Sequence, residues 1–284
     1  MTTIYVFPGQ GSQRVGMAAD LFPEFPELVR EADTELGYSI VELCTKNPDR
    51  RLGKTQYTQP AIYVANALHY FKLLRETRER PHYVAGHSVG EYNALLAANV
   101  FDFRTGLRLI KERGELMSQV VGGSMAAVVG LTLPKVEAVL RESGYKGIDV
   151  ANINATDQIV IAGPRSEIEC AERVFLDAGA ARFLILNVSG AFHSRYMKRV
   201  KDGFQAFLDG FRFSCPQIPV VANTTAVPYP ERDVEIKSSL AMQVVSSVRW
   251  KETVEYFLAL PKPEFREVGA SLVLTKLIQQ MQRN

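Results

Sequence analysis

Gly86-His87-Ser88-Val89-Gly90 sets a serine between two glycines, each two residues away. An apolar run from Tyr83 precedes it, and a helical run, Glu91 to Ala98, follows. A strand that turns straight into a helix holds its middle residue in a strained conformation, and small neighbours let the two backbones pass closely. The serine then stands exposed at a helix N-terminus, where backbone N–H groups stabilise an oxyanion. The same five residues fit an ordinary tight turn, but the strand before and the helix after favour a nucleophilic Ser88. A serine nucleophile needs a base. Of the four histidines, His69 lies in an apolar helix, His82 starts a strand, and His87 adjoins the serine on a turn whose successive residues point apart. His193, in Gly190-Ala-Phe-His193 at the head of a helix, is the candidate base.

A third chemical group comes from helical spacing. Asp102 caps a helix running to about Val121, in which Phe103, Leu107, Ile110, Gly114, Met117 and Val121 recur at intervals of three and four and form a buried stripe. Arg113 falls on the flank of that stripe. It is either an arginine snorkelling from the core edge or a guanidinium aimed into a pocket beside the serine. No motif in the sequence supplies it with a fixed carboxylate.

The remaining elements must hold these groups. Ile4 to Phe7 is a short buried strand, and Pro8-Gly-Gln-Gly-Ser-Gln13 is a loop after it, at the sheet edge where ligands bind in parallel sheets. Thr58-Gln-Pro60 opens a long apolar helix to about Leu74, and charged residues Arg75 to Arg80 form a surface loop into the serine strand. After Gly122-Gly123 the pattern alternates strand, helix, strand, strand, helix, strand up to Leu186, the order of a ferredoxin-like unit. The chain then returns to α/β alternation, with strands at Ile218 to Ala222 and Phe265 to Val268 and a closing helix from Leu272. The expected division is a large domain, residues 1–123 and 190–284, with a small one, 124–189, inserted into it.

Composition narrows the function. The chain has 284 residues, 46% hydrophobic and 23% charged, an ordinary globular profile. A net charge of +2 gives no reason to expect a nucleic-acid groove, and no apolar run is long enough for a membrane span. Cys44, Cys170 and Cys215 have no metal-ligand spacing, and their odd number suits a reducing cytoplasm better than a disulfide framework.

Six stretches in one order carry a family resemblance: Phe7-Pro-Gly-Gln-Gly-Ser-Gln13, Gly86-His-Ser-Val-Gly-Glu91, Arg113 within Lys111-Glu-Arg-Gly114, Asn152-Ile-Asn154, Gly190-Ala-Phe-His193, and Gln243 ahead of Val248-Arg-Trp250. Over nearly its whole length the chain resembles malonyl-CoA:acyl carrier protein transacylases. Gly90-Glu-Tyr-Asn-Ala-Leu95 and Phe101-Asp-Phe-Arg-Thr-Gly106 bring it nearest to the discrete acyltransferases that serve polyketide synthases in trans. The resemblance implies an α/β-hydrolase-like large domain carrying the inserted ferredoxin-like one. It implies a Ser88–His193 dyad with no acidic third member, the histidine being oriented by a main-chain or amide oxygen at Gln243. It places the oxyanion hole at the backbone N–H groups of Gln10 and Val89. Valine there replaces a commoner leucine or isoleucine, without consequence for the N–H.

By the same resemblance, Arg113 grips the free carboxylate of malonate, and Phe192 crowds a 2-methyl branch so that malonyl is preferred over methylmalonyl. Asn152 and Asn154 either contact substrate or CoA, or are structural amides at a strand turn. Malonyl-CoA is then a substrate and phosphopantetheine arrives on an acyl carrier protein; no permanently bound cofactor and no metal are expected, and the protein is expected to be a monomer. Three other functions compete: malonyl supply to fatty-acid synthesis, a proofreading acyl hydrolase on the same fold, and a non-catalytic docking scaffold. The hydrolase has no use for a buried Arg113, and the scaffold needs none of Ser88, His193, Arg113 and Gln10.

Overall fold

The computed structural model describes residues 1–283, which leaves Asn284, the last residue of the expected large domain, outside the described residues. Four strands form a parallel sheet: β1 (Thr2–Phe7), β2 (Tyr83–Gly86), β7 (Val220–Val221) and β8 (Pro263–Glu267), in the order β7-β2-β1-β8. Ile4-Tyr-Val-Phe7 is fully apolar because both faces are covered. Tyr5 and Phe7 pack into the larger core, while Ile4 and Val6 pack with Trp250, Val254 and Phe257 on the opposite face.

The helices in chain order are α1 (Pro26–Leu36), α2 (Ile40–Lys46), α3 (Thr55–Thr77), α4 (Gly90–Ala97), α5 (Phe103–Ser118), α6 (Leu133–Glu142), α7 (Arg165–Asp177), α8 (Lys198–Leu208), α9 (Asp233–Gln243), α10 (Trp250–Leu258) and α11 (Val273–Arg283). Three helix ends lie three residues from the sequence expectation. Helix α3 begins at Thr55, ahead of Thr58 and Pro60, because the Thr58 hydroxyl donates to the carbonyls of Leu52 and Lys54 and secures the first turn. It also runs on to Thr77, so Arg75 belongs to the helix and not to a loop. Helix α5 has Asp102 as its cap, accepting from the Thr105 N–H at 2.7 Å, but ends at Ser118. Val121 is therefore outside the buried stripe and 80% exposed, since the chain turns away at Gly122 towards the next strand.

A second, antiparallel sheet follows: β3 (Gly123–Val129), β4 (Asp149–Ala155), β5 (Gln158–Pro164) and β6 (Arg182–Ile185), in the order β4-β5-β3-β6. Helices α6 and α7 cover one face, where Ala126, Val128, Ile159 and Ile161 meet Val136, Ile168 and Phe175. The alternate residues Met125, Ala127, Val160 and Ala162 face the large core, as period-two alternation requires.

The two sheets are joined by backbone as well as side chains. The Ile153 N–H donates to Val248 O and the Val248 N–H to Ala151 O, each at 2.9 Å, so β4 pairs with the strand-like segment ahead of α10. The Arg195 N–H donates to Asp149 Oδ2 at 2.9 Å, and Gln280 Nε2 donates to Asp157 Oδ1 at 2.6 Å. The cleft between the sheets is floored by the end of β2 and walled by β4 and β5.

Candidate active site

Ser88 sits between the end of β2 and the start of α4 at φ = 52°, in the left-handed region. Such a conformation costs a non-glycine residue of order 1–3 kcal/mol and persists only where the surroundings enforce it. The enforcement is visible. A Cβ on Gly86 would lie 2.0 Å from the Gly90 carbonyl, and one on Gly90 would lie 2.1 Å from Phe7 O, so the elbow closes only with glycine at both positions. Asn223, beyond β7, holds the turn from below: its Oδ1 accepts the Ser88 N–H at 2.7 Å and its Nδ2 donates to Gly86 O at 2.6 Å.

His193 is also left-handed, at φ = 56°, just ahead of the turn into α8. Its Nδ1–H donates to the main-chain carbonyl of Gln243 at 2.9 Å, which fixes the tautomer and leaves Nε2 as acceptor. Ser88 Oγ lies 2.7 Å from that Nε2 and donates to it. The orienting oxygen at Gln243 is thus the backbone one, and among the described residues no carboxylate hydrogen-bonds to the ring. Burial holds the His193 pKa down to about 3, with the nearby Arg113 charge adding to the effect, so the ring is a neutral acceptor at any pH at which the protein would work. An NMR titration of the His193 ring should show no protonation between pH 8 and pH 5, where an exposed histidine titrates near 6.5. A midpoint within that range would mean that the site is wetter than the structure has it.

Arg113 is 1% exposed. It does not snorkel: its Nη1 donates to Gln59 Oε1 at 2.5 Å, and its Nη2 to Gln243 Oε1 at 3.0 Å and to Ser88 Oγ at 3.1 Å. The guanidinium also lies 5.7 Å from the centre of the Tyr92 ring. All of these oxygen acceptors are neutral. Among the described residues no carboxylate reaches the guanidinium, although Glu91, wholly buried one amide further back, shares its field. That agrees with the sequence, which offered Arg113 no fixed carboxylate, but the sequence did not show Glu91 as buried behind it. Burial raises the Glu91 carboxyl to about 7, while hydrogen bonds from Asn223 and Gln243 pull it back.

The pocket in front of Ser88 is lined by Gln10, His87, Val89, Asn152 and Phe192 and closed by the apolar wall of Met117, Met125, Val160 and Val188. Gln10 and Val89 both line it, and neither backbone N–H finds an acceptor among the described residues. The pocket leads past Asn152 and Asn154 into a longer groove that reaches Ser12, Lys276 and Gln280. Asn154 Oδ1 lies 2.9 Å from His87 Nε2, and the buried Asn152 Oδ1 has no partner. Asn152 Nδ2 also lies 3.4 Å from that His87 nitrogen, so both amides brace the ring. His87 points away from the dyad, as the turn requires, but its ring forms cleft wall.

The acyl transferase domain family matches residues 4–283 of this sequence. The chain belongs to that family. Among acyltransferases it is 50% identical over 281 residues to the Bacillus subtilis polyketide biosynthesis malonyl CoA-acyl carrier protein transacylase PksC, covering 99% of this chain and 97% of that protein. It is 51% identical over 278 residues to the Bacillus velezensis counterpart BaeC, covering 98% and 96%. The crystal structure of a malonyl CoA-acyl carrier protein transacylase from Burkholderia pseudomallei superposes with a TM-score of 0.97 at 46% identity, covering 100% of this chain and 99% of that one. A malonyl-transacylase solved in complex with its type II polyketide synthase acyl-carrier protein superposes with a TM-score of 0.94 at 36% identity, covering 100% and 94%.

Every residue that the sequence nominated in this acyltransferase lies in or against one cleft: Ser88, His193, Gln243, Gln10, Val89, Arg113, Phe192, Asn152 and Asn154. Three others were missed. Gln59 belongs to an apolar helix, where one amide carries no signal. Asn223 and Glu91 make their contacts across more than a hundred residues of chain, although Glu91 stood inside the quoted serine motif.

Proposed function

We propose that this chain moves malonyl from malonyl-CoA to the phosphopantetheine thiol of an acyl carrier protein, and that it supplies a polyketide synthase in trans. The observation that carries this reading is Arg113: a buried guanidinium, in contact with the nucleophile and without a carboxylate partner among the described residues, needs an anion from the substrate. The names of the relatives at about half identity support the polyketide role over fatty-acid supply.

The geometry supports a ping-pong course. Ser88 Oγ attacks the thioester carbonyl as its proton passes to His193 Nε2. The oxyanion forms within reach of the free N–H groups of Gln10 and Val89. As the C–S bond breaks, the imidazolium returns the proton to the sulfur of CoA. The carrier's thiol then attacks the malonyl ester while His193 takes its proton, and Ser88 regains a proton as malonyl leaves on the carrier. Every step uses proton transfer and fixed dipoles, so the reading calls for no resident cofactor or metal. Asn152 and Asn154 line the groove beside His87, where they are suited to contact substrate or CoA. Phe192, buried against the same pocket, is the ring that would crowd a 2-methyl branch.

The fold reading that goes with this is an α/β-hydrolase-like domain, residues 1–123 and 190–284, into which a ferredoxin-like unit, 124–189, is inserted. The parallel sheet ending in a serine elbow supports the first part, and the antiparallel order β4-β5-β3-β6 with two helices on one face supports the second. The free cysteines and the absence, among the described residues, of a helix long and apolar enough to cross a membrane are compatible with a cytoplasmic place.

The test is intact-protein mass spectrometry with malonyl-, methylmalonyl- and acetyl-CoA, followed by addition of a phosphopantetheinylated carrier protein. Malonyl should load in preference to methylmalonyl by roughly the 10–200-fold that one methyl group allows in a pocket, and the carrier should unload it. Release of the acyl group to water at the same rate with and without carrier would favour the hydrolase instead.

A further inference from the structure

Behind the elbow lies a buried polar network that the dyad itself does not use. Glu91, in the first turn of α4, has no exposed surface. Its Oε1 accepts the backbone N–H of Asn223 at 2.6 Å, and its Oε2 accepts from Gln243 Nε2. The same Gln243 NH2 group donates to the main-chain carbonyl of Ser88 at 3.0 Å. Both neighbours of that NH2 are therefore acceptors. Turned over, the amide would set its oxygen against a carboxylate and a carbonyl, which leaves only one orientation free of conflict. In that orientation Gln243 Oε1 faces Arg113 Nη2 and accepts from it.

We propose that Glu91 is a positioning residue for malonyl selectivity: by fixing the Gln243 amide it keeps the Arg113 guanidinium aimed at the reacting serine. The inference rests on the malonyl-transfer reading above for its consequence, but not for its geometry. Glu91 touches neither substrate nor the reacting atoms. It acts at one remove on the cation, and through Asn223 on the Ser88 backbone.

Glu91→Gln replaces one acceptor oxygen by an NH2 group, so either Asn223 or Gln243 is left facing a donor. The experiment measures kcat/KM for malonyl-CoA and acetyl-CoA in wild type, Glu91→Gln, Gln243→Met and the double variant. A loss that is merely structural lowers both substrates alike. The inference expects the malonyl-to-acetyl ratio to fall about tenfold in each single variant, and no further in the double, because both act through one amide. An unchanged ratio in Glu91→Gln, or single effects that multiply in the double variant, would overturn it.

A crystal structure of Glu91→Gln reads the geometry without any substrate. Arg113 should be displaced from Gln243 and Ser88. An unmoved Arg113 defeats the inference even if malonyl transfer is confirmed, whereas a wild-type protein that loads no malonyl defeats the functional reading alone. Should Glu91→Gln fail to fold, Glu91→Asp keeps the carboxylate but withdraws both oxygens by one methylene. The ratio should fall there too, and an unchanged ratio overturns the proposal.

Discussion

Ser88→Ala should leave the protein folded and unable to carry an acyl group. The change removes one hydroxyl, whose partners are His193 Nε2 and Arg113 Nη2. It keeps a Cβ at the same left-handed backbone position, so the elbow's strain is nearly unchanged. The loss in transfer rate should be on the order of 10⁴–10⁶-fold, the scale on which a serine nucleophile and its base fail as a unit. Malonyl-CoA added to the wild type should give a single malonyl ester at Ser88 in intact-protein and peptide mass spectra. Ser88→Ala should give none, with an unaltered circular dichroism spectrum. An adduct of equal yield in the variant would move the nucleophile elsewhere.

Arg113→Ala should reduce kcat/KM for malonyl-CoA by two or more orders of magnitude and raise the relative use of acetyl-CoA. Hydrogen bonds to charged groups are worth about 1.5–3 kcal/mol each, and tenfold is about 1.4 kcal/mol. Two such bonds to the malonyl carboxylate are enough for the expected loss. Acetyl-CoA gains in relative terms because its methyl group no longer faces an unanswered cation. Arg113→Lys should restore little. The fork of Arg113 satisfies Gln59 on one nitrogen and Gln243 and Ser88 on the other, and a single ammonium cannot stand in both places. Rates for both substrates in all three proteins, with folding checked by thermal melts, decide the matter. A constant malonyl-to-acetyl ratio would make Arg113 structural.

These two residues also show what was readable in the sequence. Ser88 announced itself, because a serine elbow needs glycines at fixed local offsets and a strand and helix on either side. Those are demands on neighbouring residues, and neighbouring residues are what a sequence displays. Arg113 was half legible. Its place in the helical period put it near the buried stripe, but a position on the flank of a stripe does not say whether the side chain runs out to water or inward to Gln59 and Gln243. The end of α5 was misplaced for a related reason: Val121 continues the spacing, yet the helix stops when the chain turns at Gly122. Glu91 and Asn223 were beyond reach. Their partners lie over a hundred residues away, and a glutamate just inside a helix start is most simply read as a charge favoured by the helix dipole. Only the packed structure shows that this one is sealed in.

The pairing of β4 with the segment at Val248 has a consequence for how the cleft works as a gauge. The β4 wall shares two main-chain hydrogen bonds with the segment at Val248 that leads into α10, so it cannot swing away from the large domain there without breaking them. The opening in front of Ser88 then behaves as a caliper locked at one setting. The cost of that arrangement is a lack of tolerance: a longer or branched acyl chain must find its room from side chains such as Phe192 and Met125, since the frame that carries them does not give.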